Sequence, residues 1–135
     1  AYLLYLETMA KCVRSHGDFI DILAHIDYIA RYAVYSDPEL SYDVYGEAID
    51  EVLKALIETD TVLELNTRRF DAPCARASLM PIFRRYRELG GRDVTLGSDA
   101  HRTDAIGFSF AAARAMAESL RLRTVTFFAR RKEYC

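Results

Sequence analysis

Toward its carboxyl end the chain reads Ser98-Asp99-Ala100-His101, which sets a carboxylate and an imidazole two residues apart. In an extended segment such residues leave the same face, so both side chains can reach neighbouring metal positions. The pair also has a plain structural reading, with Asp99 capping a following helix and His101 bonded to backbone. His25 closes the apolar run Phe19-Ile20-Asp21-Ile22-Leu23-Ala24-His25, and Asn66 closes the run Thr61-Val62-Leu63-Glu64-Leu65-Asn66. Asp27 follows the first run, and Thr67, Arg68 and Arg69 follow the second. Asp27 either orients His25 or solvates a loop, while Asn66 and Thr67 either hold a substrate or terminate a strand.

The elements that must position these groups can be traced through residue spacing. Between Tyr2 and Arg14, Leu3, Leu6, Ala10 and Val13 recur at helical intervals, and Gly17 stops the helix. His16 then stands at a helix end, where a cation suits the dipole. The short, β-branched run 19–25 predicts a buried strand with His25 at its carboxyl end. Ser41 is placed to cap a helix with Tyr45, Ala48, Ile49, Val52, Leu53 and Leu56 on one face. A strand over 61–66 follows, and Glu64 inside it reads as an inward polar group or as the partner of an arginine. Pro81 suits the first turn of a third helix, ended by Gly90-Gly91, with Arg84, Arg85 and Arg87 on its solvated face. The chain continues as a strand over 93–97, an Ala-rich helix from about Thr103 to Leu120, and a last strand over 123–128.

Strands alternating with helices through short connections predict an α/β fold with parallel strands, either an open doubly wound sheet or part of a barrel. In both, functional groups gather beyond the carboxyl ends of the strands. His25, Asn66, Asp99 and His101 all fall at such ends. No linker or repeat divides residues 1–135, so they read as one structural piece.

Composition narrows the function. The chain is 51% hydrophobic and 28% charged with a net charge of −2, a globular mixture that argues against nucleic acid as a partner. Charged residues interrupt every apolar run before it reaches the roughly 18 residues of a membrane span. Residues 1–8 lack the basic start and small-residue cleavage site of a secretory signal, so a cytoplasmic location is expected. Cys12, Cys74 and Cys135 have no CxxC spacing and read as reduced thiols.

An ordered series of segments resembles the carboxyl-terminal half of the PHP phosphoesterases, most closely the monofunctional histidinol-phosphate phosphatases. It comprises Ile22-Leu-Ala-His25-Ile-Asp27-Tyr-Ile-Ala-Arg31-Tyr32, Leu63-Glu-Leu-Asn66-Thr67, Arg85-Tyr-Arg-Glu-Leu-Gly-Gly91 and Val94-Thr-Leu-Gly-Ser-Asp99-Ala-His101-Arg102, then the tail Val125–Lys132. The resemblance implies the C-terminal half of a distorted (β/α)7 TIM-like barrel and metal-dependent hydrolysis of a small phosphomonoester, histidinol phosphate to histidinol in histidine biosynthesis. A different phosphate ester or nucleotide, and a noncatalytic half-barrel scaffold, are the alternatives. It further implies two or three divalent metals (Zn, Mn or Fe), held in part by His25, Asp99 and His101, with Asp99 and His101 at the chemistry. Arg31 and either Arg68 or Arg69 occupy positions that look like the family's phosphate clamps, a task that guanidinium groups suit because their donors pair with phosphate oxygens. The family's earlier HxH, Glu and His motifs are absent from this sequence. The resemblance therefore implies a partner, either the N-terminal half of the same barrel or another chain, with self-association as a further expectation.

Overall fold

The structure, a computed structural model, describes residues 1–126. Its elements run α1 (Tyr2–His16), β1 (Ile22–Leu23), α2 (Tyr42–Glu58), β2 (Val62–Asn66), α3 (Pro73–Glu88), β3 (Asp93–Gly97), α4 (Phe110–Ser119) and β4 (Arg123–Thr124), with 3-10 turns at Gly17–Phe19, Tyr28–Tyr32 and Thr103–Ala105. Among the described residues no helix is long and apolar enough to cross a membrane.

The strands form one parallel sheet in the order β1-β2-β3-β4. That order decides between the two architectures left open by the sequence. A right-handed crossover that always moves to the next strand in the same direction places every helix on the same face, whereas double winding requires the order to reverse. Side chains agree with this. The register aligns Leu23, Leu63 and Val94, and next to them Leu65 and Leu96, on one face. These residues join Leu6 of α1, Ile49 and Leu53 of α2, Ile82 and Phe83 of α3, and Ala113 of α4 in the core. The opposite face carries Ile22 paired with Val62, Glu64 with Thr95, and Asn66 with Gly97, so polar and small residues concentrate there toward the strand ends.

Several elements differ from the sequence expectation for identifiable reasons. The buried stripe of α1 is Tyr2, Leu6, Ala10 and Val13, while Leu3 is 54% exposed, because the aromatic ring of Tyr2 takes the place next to the core and stacks on Tyr45. Only Ile22–Leu23 of the run 19–25 joins the sheet; Gly17–Phe19 is a 3-10 turn that turns Phe19 outward, 85% exposed. Ser41 occupies the start of α2 without a side-chain capping bond. Pro73, not Pro81, takes the first turn of α3, and Pro81 lies inside that helix. An internal proline removes a backbone bond at a cost of about 3 kcal/mol, which burial of Leu79, Ile82, Phe83 and Tyr86 on either side offsets. Gly90, at φ +113°, ends the helical segment as expected, in a backbone region that side chains disfavour. Arg85 is not simply solvated, because it grips Asp50 of α2 through Nε at 3.1 Å and Nη2 at 2.8 Å. The expected helix 103–120 is interrupted by positive φ at Gly107 and Ser109, so that α4 begins only at Phe110. The last strand begins at Arg123 as expected but ends at Thr124, short of the expected 128; Phe127 and Phe128 of that expectation, the basic residues Arg130, Arg131 and Lys132, and Cys135 lie outside the described residues.

Candidate active site

The carboxyl ends of β1, β2 and β3 bring the sequence-nominated residues to one side of the sheet. His25 follows β1, Asn66 ends β2, and Asp99 follows β3. His25 and Asp99 both adopt left-handed backbone conformations, with φ of 56° and 48°. Such angles are uncommon outside glycine and persist only where surrounding contacts hold them.

Around His25 the contacts are specific. Tyr5 Oη donates to its carbonyl oxygen at 2.6 Å, and its own N–H donates to Glu64 Oε2 at 3.2 Å. Asn66 Nδ2 lies 3.3 Å from His25 Nδ1 and 3.2 Å from Glu64 Oε2, while Asn66 Oδ1 accepts the Arg68 N–H at 3.0 Å. The last two bonds fix the orientation of the amide. Its NH2 group therefore faces the Nδ1 edge of the imidazole.

Asp99 gathers the arginines. Arg31 Nη2 is 3.1 Å from Asp99 Oδ2, and Arg68 Nη1 lies 3.3 Å from the same oxygen and 2.8 Å from the Asp99 carbonyl. Arg68 Nη1 also makes a short contact with His101 Nδ1, which is itself 2.8 Å from the Asp99 carbonyl. Burial alone would raise the Asp99 carboxyl, but the Arg31 bond and the charges of Arg68, His25 and His101 hold it below the usual carboxylate range. The Arg31 guanidinium lies over the Tyr28 ring at 5.0 Å, and that ring meets the His25 ring edge-on at 5.4 Å. His101 stands at the mouth, its side chain 67% exposed.

Arg69 and Asp27 are placed differently from Arg31 and Arg68. Arg69 binds both oxygens of Glu39, one at 3.2 Å and the other in a short contact, and lies 3.7 Å from Asp27 Oδ2. Ser78 Oγ adds a bond to Glu39 at 3.4 Å. Asp27 is pushed up by burial, against the opposing pull of Arg69. This cluster ties the loop before α2 to the loop after β2, and the partner at the His25 ring is Asn66 rather than Asp27.

Imidazole nitrogen and carboxylate oxygen are suitable donors for a borderline divalent metal such as zinc. Among the described residues, however, no group of three or more His, Cys, Asp and Glu side chains is gathered closely enough to hold an ion. The donor chemistry fits; the number of assembled donors is that of part of a site.

Sequence reasoning missed Tyr5, Tyr28 and Glu39. The helical proximity of Tyr28 to Arg31 and Tyr32 could have flagged an aromatic neighbour. Nothing in the pattern marks Tyr5 or Glu39, whose partners are distant in sequence.

No family model matches the sequence. It is 50% identical over 131 residues to a probable histidinol-phosphatase of Clostridium acetobutylicum, covering 97% of this chain and 51% of that protein. It is 33% identical over 100 residues to a histidinol-phosphatase of Lactococcus lactis, covering 74% of this chain and 36% of that protein. In three dimensions it is similar to the crystal structure of histidinol phosphate phosphatase from Lactococcus lactis complexed with Zn, L-histidinol and phosphate. The TM-score is 0.82 at 29% identity, over 93% of this chain and 48% of that one. The chain thus spans about half the length of the Clostridium acetobutylicum protein and of the Lactococcus lactis structure.

Proposed function

Because the chain belongs to the histidinol-phosphatase family, over a stretch about half the length of its relatives, we propose that it supplies part of the active site of a metal-dependent phosphomonoesterase acting on histidinol phosphate. The observation that carries this reading is the convergence of Arg31 and Arg68, from loops after two different strands, on Asp99 beside His101.

In this reading residues 1–135 are the C-terminal portion of a single PHP-type barrel. The uniformly one-sided helical layer and the sequential strand order support it, since both suit a sheet that continues into further β/α units. His25, Asp99 and His101 would hold the divalent metals, two or three in the complete site, and Zn is favoured over Mn or Fe by the Zn in the Lactococcus lactis structure. Bound metal supplies an activated water and neutralises phosphate charge. Arg31 and Arg68 take the nonreacting phosphate oxygens, a pairing their planar donors suit better than lysine would. Asn66, fixed through both ends of its amide, orients His25 and borders the substrate. Asp99 cannot hold a cation and carry a proton for the leaving alcohol at the same time, so the ligand role takes precedence. Arg69, bound to Glu39 and Asp27, shapes the wall rather than clamping phosphate. Exposed Cys12 and Cys74 suit a reducing cytoplasm.

A second reading, a noncatalytic half-barrel that binds a phosphate ester, is favoured by the lack of a three-donor group among the described residues. One experiment separates the two. The complete protein, loaded with Zn or Mn, is assayed for phosphate release from histidinol phosphate, from other small phosphomonoesters and from nucleotides, alongside residues 1–135 alone. Turnover of histidinol phosphate by the complete protein and none by the piece is expected. No turnover by the complete protein would leave the binding module standing; rapid turnover by the isolated piece would overturn the part-site reading.

A further inference from the structure

His25 sits at a backbone angle that a histidine does not adopt without support, and the support comes from three places in the sequence. On the carbonyl side, Tyr5 reaches from α1 to donate to His25 O at 2.6 Å. On the amide side, Glu64 reaches from the middle of β2 to accept the His25 N–H at 3.2 Å. The Glu64 carboxylate in turn depends on β3. A Cβ placed on Gly97 would meet Glu64 Oε1 at 1.8 Å, so the carboxylate occupies the space that the missing side chain leaves. Gly97 pairs with Asn66, and Asn66 Nδ2 donates to the same Glu64 oxygen that His25 uses.

We propose that Tyr5, Glu64 and Gly97 form a backbone clamp that sets the direction of the His25 imidazole, making Tyr5 and Glu64 positioning residues for the ligand histidine. The inference rests on the reading of His25 as a metal ligand. Its physical basis is that a left-handed residue turns the chain sharply, so the direction of its Cα–Cβ bond depends on both adjoining peptide planes. The two side-chain bonds act on one plane each, Tyr5 beside the Tyr28 N–H that also donates to the His25 carbonyl at 3.0 Å. Neither bond is made by an element's own hydrogen-bonding ladder, so the sheet alone does not fix this angle. Burial pushes the Tyr5 hydroxyl up to about 12, with the Asp27 charge adding to the effect, and the group remains a donor at any physiological pH. Removing Tyr5 Oη leaves that plane held only by the Tyr28 N–H, which donates to the same carbonyl at 3.0 Å; filling the space over Gly97 dislodges Glu64 and frees the other.

The test uses the complete protein and reads metal affinity directly, by zinc competition against a chromophoric chelator, together with the imidazole nitrogen shifts of His25 by NMR. The variants are Tyr5→Phe, Glu64→Ala, Glu64→Gln, Gly97→Ala and His25→Ala. Tyr5→Phe, Glu64→Ala and Gly97→Ala are each expected to weaken zinc binding roughly tenfold or more and to move the His25 shifts. Glu64→Gln, which keeps an acceptor oxygen for both donors, should stay close to the parent. Tyr5→Phe removes a single oxygen and keeps the ring, so its thermal midpoint should change little. If His25→Ala weakens binding while Tyr5→Phe and Gly97→Ala leave it unchanged, the clamp is wrong and the ligand assignment survives. If His25→Ala itself leaves zinc affinity unchanged, the ligand assignment falls and the clamp's metal role falls with it.

Discussion

Arg31 and Asp99, 68 residues apart, meet at 3.1 Å and join the turn after β1 to the end of β3 across the mouth of β2. The bond raises the Arg31 guanidinium further, through the hydrogen bond to Asp99 ahead of all other causes. Because both partners are partly exposed, at 27% and 21% of their side chains, the pair contributes about 1 kcal/mol or less to stability. Arg31→Ala should therefore barely shift a urea midpoint. It should weaken phosphate or sulfate binding about ten- to a hundredfold, the loss of a charge-assisted bond worth roughly 1.5–3 kcal/mol, with metal content nearly unchanged. Calorimetric titration at fixed ionic strength checks this, and equal anion affinity in both proteins would count against the clamp.

Thr67 is fully buried, and its hydroxyl donates to the Phe108 carbonyl at 2.5 Å. That bond pins the far end of the loop that carries Asp99 and His101. Thr67→Val keeps the shape and strands the carbonyl, so we expect a loss of about 1–3 kcal/mol in denaturant unfolding. Faster amide exchange over residues 98–109 should accompany it; a wild-type exchange pattern there would show that the loop is held by other contacts.

The Asp50 carboxyl is held below the usual range, first by the Arg85 hydrogen bond and then, against burial, by the Tyr42 hydroxyl. A depressed native pKa contributes stability above the unfolded value, about 3.9 for aspartate, and that stability is lost as pH falls through the lower native value. Asp50→Asn should therefore lower stability at pH 7 and flatten its decline below about pH 4. Urea titrations of parent and variant across that interval give the comparison. Parallel curves at all pH values would show that the α2–α3 bridge is not linked to proton uptake.

Leu4 on α1 is 69% exposed and lines a groove with Ile20 and Leu23 at the β1 edge, which pairs only with β2 among the described residues. Unpaired edges and apolar patches favour association. Residues 1–135 alone should self-associate at micromolar concentration, and Leu4→Lys should shift the population toward monomer in sedimentation velocity. A strictly monomeric parent would refute this expectation.

The parallel α/β order and the strand-end positions of His25, Asn66 and Asp99 were readable from period and punctuation, because apolar runs with polar termini have few other uses. Two misplaced helix starts have separate causes. Pro81 carries a start signal, but Pro73 supplies a competing one, and the positive φ at Ser109 that delays α4 cannot be inferred from a serine. The distinction between Arg69 and Arg68 was unreadable, since it depends on Glu39, a loop carboxylate 30 residues away from Arg69. The clamp on His25 was equally hidden: Tyr5 acts on a backbone carbonyl, and a carbonyl has no letter in the sequence.

Each strand pairs with the one made just before it, β2 on β1, β3 on β2 and β4 on β3. Assembly can therefore follow synthesis, with every new β/α unit adding to an edge already present on the nascent chain. The chemistry cannot follow the same schedule. His25 is translated long before Asp99 and His101, so the histidine waits on its early strand while the carboxylate and both arginines remain to be joined. On the ribosome, the cluster of Arg31, Arg68 and Asp99 comes together only after β3 has docked, late in the emergence of the segment.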